Sequence, residues 1–198
     1  MINMSKNKIR VFSLLFVVFI ALAATPQITS FPTGVGANGN AGCTCHSGGA
    51  GTTTIDVVGM PDSFTGGESY ELQISISNPA IPGGELTANM GGFRLFASAG
   101  TFGAGENFTD LVQELEGGAT HTELGNDVRD WVVIWTAPDS EGQIVDFTLH
   151  GNAVNGNAVG AGNGNTGDAW STFEASVPGA AALGGGGALM GDLVSLAV

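Results

Sequence analysis

Polar and apolar positions alternate most cleanly at Ser69 to Ser77 (SYELQISIS), where Tyr70, Leu72, Ile74 and Ile76 share one face and Glu71, Gln73 and Ser75 the other. Side chains two apart on a strand point the same way, so this pattern predicts a strand buried on one face and wetted on the other. Thr52 to Val58 is β-branched and stops at Gly59. Phe93 to Ala97 follows a Gly-Gly pair, Trp131 to Trp135 (WVVIW) precedes Ala137-Pro138, and Ile144 to Leu149 and Thr172 to Val177 complete the set of apolar runs. Pro61-Asp62, Gly66-Gly67, Pro82-Gly83-Gly84 and Ser140-Glu141-Gly142 punctuate them with turn residues. No segment carries a sustained helical period; Phe108 to Leu115 is expected to make a short helical turn. Six short strands with glycine-rich turns predict an all-β fold, an antiparallel β-sandwich with long Gly/Asn-rich loops. Trp131 and Trp135 fall on one strand face and are expected to anchor its core.

The ends of the 198-residue chain read differently. Lys6, Lys8 and Arg10 precede the apolar run Val11 to Ile20 and the small residues Ala21-Leu22-Ala23, the layout of a secretory signal over residues 1–24. Residues 25–51 form a Gly-rich loop with almost no apolar periodicity, residues 52–177 the sandwich, and residues 178–198 an Ala/Gly-rich tail whose tetraglycine disfavours a spanning helix. Leader and tail are the only expected membrane attachments.

Charge sharpens this picture. Beyond the leader only Arg94 and Arg129 stand against 18 acidic residues, and no lysine remains. Such a surface repels nucleic acid and anionic headgroups and favours solubility in salty water. The expectation is an exported or cell-surface protein.

The candidate chemistry sits in Gly42-Cys43-Thr44-Cys45-His46-Ser47, which holds both cysteines and one of three histidines. Outside the cytoplasm free thiols oxidise, so such cysteines are usually paired or ligated. A disulfide across one residue closes a small strained ring and removes little chain entropy. The segment is one residue short of C-x-x-C-H, in which two cysteines bond porphyrin vinyl groups and the histidine ligates iron. Read that way, Cys43 and Cys45 attach a haem c, His46 is the proximal ligand, and a sixth ligand comes from His121, His150, Met60 or Met90, with His121 preferred. A haem-free Cu(I) or Zn site and a redox-active dithiol use the same residues.

Asn152, Asn155, Asn157, Asn163, Asn165 and Asp168 make an oxygen-rich run, but with one carboxylate it suits turn chemistry better than Ca²⁺. Asn107-Phe108-Thr109 is a glycosylation sequon. No hydrolase constellation, phosphate loop or basic groove stands out, and the chain is expected not to be an enzyme.

The order of motifs adds a resemblance. Phe64-Thr65-Gly66-Gly67-Glu68-Ser69-Tyr70 leads into a strand, His121-Thr122 precedes Trp135-Thr136-Ala137-Pro138, and a Gly/Asn loop runs from Gly151 to Asp168. With the cysteine-histidine segment ahead of them, these resemble the Reeler-like domain of exported proteins, the choice-of-anchor V type, over about residues 31–176. The resemblance implies an immunoglobulin-like β-sandwich and a histidine at the His121 position. It also implies a setting of cell-surface adhesion or electron transfer, with an extracytoplasmic redox partner or a surface ligand. A surface adhesion or structural module without a cofactor is the alternative expectation.

Overall fold

The computed structural model describes residues 33–81, 89–156 and 166–181. The leader, most of the tail and Asn157, Asn163 and Asn165 lie outside the described residues. Within them the chain forms β1 (Ser47–Gly48), β2 (Thr54–Val58), β3 (Ser69–Ser77), β4 (Gly91–Ala97), β5 (Thr101–Ala104), β6 (Val112–Leu115), β7 (Gly118–His121), β8 (Asp130–Thr136), β9 (Ile144–Ala153) and β10 (Thr166–Pro178). Short 3₁₀ turns lie at Ala37–Ala41 and Gly125–Asp127.

The strands build an immunoglobulin-like antiparallel β-sandwich, as the alternation predicts. One sheet has six strands in the order β1-β10-β9-β4-β7-β6, the other four in the order β2-β3-β8-β5. Every pairing is antiparallel except that of β1 with β10. On β3, Leu72, Ile74 and Ile76 are buried and Glu71, Gln73 and Ser75 exposed. Trp131 and Trp135 are 1% and 0% exposed and reach across to the six-stranded sheet. Trp131 lies 4.9 Å from Phe93 and Trp135 4.8 Å from Phe147, ring centre to ring centre. Each indole N–H finds a carbonyl, at Gly125 (2.8 Å) and Ala99 (3.1 Å), so burial leaves no donor unpaired. At Gly151 the facing sheet comes close, and a Cβ there would stand 2.6 Å from Ile76 Cδ1.

Four strands were not legible as apolar runs: β1, β5, β6 and β7. The expected helical turn at Phe108 to Leu115 is corrected in its second half. A single turn closes at 108–111, where the Leu111 and Val112 amides donate to the Phe108 carbonyl, and Val112–Leu115 then pairs with β7. Pairing of Val112 opposite His121 outweighs any local preference for helix over so short a span. No helix among the described residues is long and apolar enough to cross a membrane.

Candidate cofactor-attachment loop

The segment 33–49 runs crosswise over the outer face of the six-stranded sheet. The Val35 amide donates to Thr120 Oγ1 (3.0 Å) on β7, and the Ala37 amide donates to the Glu116 carboxylate in the β6–β7 turn. Arg94 Nε on β4 donates to Asn40 Oδ1 (3.0 Å). His150 Nε2 on β9 donates to the Asn40 carbonyl (3.1 Å). Gly42, at φ 100°, lies flat on Trp170 of β10; a Cβ there would sit 2.7 Å from the indole, so only glycine fits. The arm then turns, the His46 amide donating to the Cys43 carbonyl (2.9 Å), and joins the sheet edge as β1 beside Thr166 and Asp168.

This route explains a group of polar side chains that are buried on a face the alternation would leave to water. Arg94 is 1% exposed, Thr120 0% and His150 6%. Arg94 also donates to the carbonyls of Leu115 (2.6 Å) and Glu116 (3.2 Å). Burial draws its pKa down while Glu116 and Glu114 oppose the fall; an arginine side chain keeps its charge in proteins, and this guanidinium clamps arm and hairpin together.

His46 lies where the arm meets β10. Its Nδ1 is 2.8 Å from Oδ2 of Asp168, a carboxylate 122 residues further along the chain. The Asp168 side chain is 0% exposed and that of His46 22%. The other carboxylate oxygen, Oδ1, accepts the Asn155 amide (2.9 Å). Arg129, whose pKa burial lowers and Asp168 raises, stands near this carboxylate and donates to the carbonyls of Met90 and Val154. His46 Nε2 has no partner among the described residues. Beside it Cys45 is exposed and Cys43 half-buried, and both are free thiols. Burial, with a smaller contribution from Cys45, pushes the Cys43 thiol up to about 12. Asn152 Oδ1, on the strand next to β10 and in register with Trp170, is buried with no hydrogen-bond partner among the described residues.

The structure brings Cys43, Cys45 and His46 into one turn and does not bring His121 to them. His121 is buried on β7, its Nδ1 accepting the Phe93 amide of β4 (3.1 Å), its ring filling the space above Gly92. β9 and β4 stand between β10, to which His46 is tied, and β7, which carries His121, so the two strands are about 14 Å apart. His150 has both ring nitrogens engaged, with Thr172 Oγ1 (2.8 Å) and the Asn40 carbonyl. Met60 packs against the core, and Met90 lies just before β4. Among the described residues no three His, Cys, Asp or Glu side chains converge as a metal-binding cluster. Asp168, read from sequence as the one carboxylate of an oxygen-rich loop, spends its oxygens on His46 and the Asn155 amide.

In donor type these residues fit a haem. A ligating histidine commonly gives its second nitrogen to a carboxylate, which sets ring orientation and basicity, and His46 Nδ1 engages Asp168 in that way. Cys45 is open to solvent. The neutral form of Cys43 is the one its surroundings favour. Sequence reading missed Arg94 and the Asp168–His46 pair. A signal for Arg94 existed: one of two arginines in an otherwise cation-free sandwich, set between Phe93 and Leu95 on a strand.

No protein-family model matches the chain, and no curated protein does. Among solved structures the chain is similar to a human F-spondin reeler domain, at 20% identity over 53% of this chain and 78% of that one, with a TM-score of 0.36. It is also similar to a conjugative transposon lipoprotein from Bacteroides eggerthii, at 14% identity over 62% and 94% of the two chains and a TM-score of 0.37. A conjugate transposon protein from Bacteroides vulgatus matches at 12% identity over 66% and 86%, with a TM-score of 0.40. At these scores the likenesses say nothing about activity or family; the strand order and register carry the fold.

Proposed function

We propose that this chain is an exported, non-catalytic β-sandwich module that carries a c-type haem on its Cys43-Thr44-Cys45-His46 loop and exchanges electrons with an extracytoplasmic partner. The observation that supports this reading is the 2.8 Å contact of His46 Nδ1 with the buried Asp168 carboxylate, which leaves Nε2 for iron beside an exposed cysteine. His46 would be the axial ligand, and Cys45 and Cys43 the points of attachment. When bound, haem supplies one-electron exchange. The chain's own part is to orient the imidazole, to tie the loop to a rigid sheet, and to keep Arg94 and Asp168 out of water around it. The acidic surface favours a partner with a basic docking face.

The test is the mass and absorbance of the protein released by cells that mature c-type cytochromes. A haem-sized mass increment and a Soret band that survives acid-acetone extraction are expected. A colourless protein weighing no more than its amino acids overturns the reading.

One observation favours a second reading, a surface adhesion or structural module without a cofactor. The Asp168–His46 contact also closes internally as an ion pair that pins the arm to β10, needing no ligand. A colourless protein in which His46→Ala lowers stability without changing absorbance would support it.

A further inference from the structure

We infer that Asp168 is the positioning residue of the cysteine-histidine loop: its carboxylate holds the neutral His46 ring with the hydrogen on Nδ1, so that Nε2 presents a lone pair outward. A carboxylate can only accept a hydrogen bond, so the nitrogen 2.8 Å from it must be the donor. Asp168 cannot turn away to release the ring. Its Oδ1 is fixed by the Asn155 amide at 2.9 Å, its side chain is fully buried, and its strand is paired with β9 on one side and β1 on the other. The backbone that carries the ring is held as well. The His46 amide is tied back to Cys43, and Ser47 and Gly48 are already in register with β10. Three elements distant in sequence thus set the ring against its carboxylate: the arm, the start of β10, and the loop after β9.

This positioning is a property of the polypeptide. Its consequence for an iron ligand rests on the haem reading above. A carboxylate on Nδ1 pushes electron density toward Nε2 and makes it a stronger donor, which lowers the reduction potential of a bound metal. Sequence alone gave no access to this pairing. Of the two arginines of the sandwich, Arg129 stands near Asp168 but gives its hydrogen bonds to backbone carbonyls, and His46 is the basic side chain in direct contact with that aspartate.

Long-range proton–nitrogen NMR of the imidazole rings in the reduced, haem-free full chain tests the inference directly. Wild-type His46 should be predominantly Nδ1–H when neutral. Asp168→Ala should move the majority to Nε2–H, the form favoured by an unconstrained ring. Asp168→Asn has one acceptor oxygen, taken by the Asn155 amide, and turns its NH2 toward His46, so it too should move the majority to Nε2–H, which decides the matter if the alanine variant does not fold. A wild-type ring that is mainly Nε2–H, or an unchanged tautomer in a folded Asp168→Ala, overturns the assignment. In haem-loaded protein, Asp168→Asn should raise the midpoint potential relative to wild type; an unchanged potential overturns the electronic consequence. Should wild type carry no haem, the functional reading falls, and the ring measurement still settles the role of Asp168.

Discussion

The two sheets of this sandwich obey the same alternation and treat their outer faces in opposite ways. On the four-stranded sheet the polar outward positions Asp56, Glu71, Gln73, Ser75 and Asp130 are exposed, and Val132, Ile134 and Thr136 of β8 are half-buried. On the six-stranded sheet the outward positions under the arm, Arg94, Thr120, His150 and Asp168, are as deeply buried as the core, while Asp146, Glu174 and Ser176 beyond it are exposed. The difference is the crossing arm 33–49, which lies over one sheet and has no counterpart over the other among the described residues. A period of two tells which residues share a face. It does not tell whether that face meets water, because that depends on where a segment without a pattern of its own comes to rest. The covered face holds the polar residues whose partners are distant in sequence, and the candidate chemistry sits at its edge.

The largest expected break in this contrast is Arg94→Ala. The substitution removes a buried cation and leaves the Leu115 and Glu116 carbonyls and Asn40 Oδ1 without their donor. A buried acceptor left unsatisfied costs about 1–3 kcal/mol, so a loss of about 3 kcal/mol or more is expected in denaturant titration. Glu71→Ala on the bare face should stay within about 0.5 kcal/mol. Equal effects of the two would mean that the arm does not cover the six-stranded sheet in solution.

Much of the fold was legible. β3, β8 and the first part of β9 are apolar at every second position or throughout, and the tryptophans of β8 fall where large aromatics must be buried. β5, β6 and β7 were not, because TFGA, VQEL and GATH are too short and too poor in apolar residues to show a period. They are strands because neighbours pair with them, a tertiary effect that no local propensity reports. The site divides in the same way. The residues of the cysteine-histidine turn are adjacent in sequence and were found by it. Asp168 is 122 positions away from His46 and was visible only as an acidic residue in a loop. His121, chosen for its place in a motif order, is committed to the Phe93 backbone.

Cysteine chemistry sharpens the contrast within the loop. Cys45 is exposed, whereas burial pushes the Cys43 thiol from 9.0 up to about 12. Iodoacetamide at neutral pH should modify Cys45 first, and Cys43 only as its thiol ionises or the arm lifts. The same shift links stability to pH. The unfolded chain loses the Cys43 proton near its ordinary pKa and the folded chain holds it to about 12, so folding binds the proton more tightly. Stability from this group is complete below about pH 9 and falls as pH rises toward 12. Cys43→Ser should flatten that alkaline fall. Equal alkylation rates for both cysteines at neutral pH would place Cys43 in water and remove the distinction.

The smallest effect is expected where the bare face carries its own polar pair. Ser75 Oγ donates to Asp130 Oδ1 at 2.6 Å across β3 and β8, a geometry as good as any on the covered face. Both residues are exposed, however, and water replaces whatever either one loses. A double-mutant cycle with Ser75→Ala and Asp130→Asn should therefore give a coupling of only about 0.2–1 kcal/mol, as cross-strand surface pairs do. Added salt should leave it nearly unchanged, because serine carries no charge to screen. A coupling as large as the loss from Arg94→Ala would mean that something covers this face too. Coverage, rather than hydrogen-bond length, is what separates the two sheets, and this pair isolates that variable.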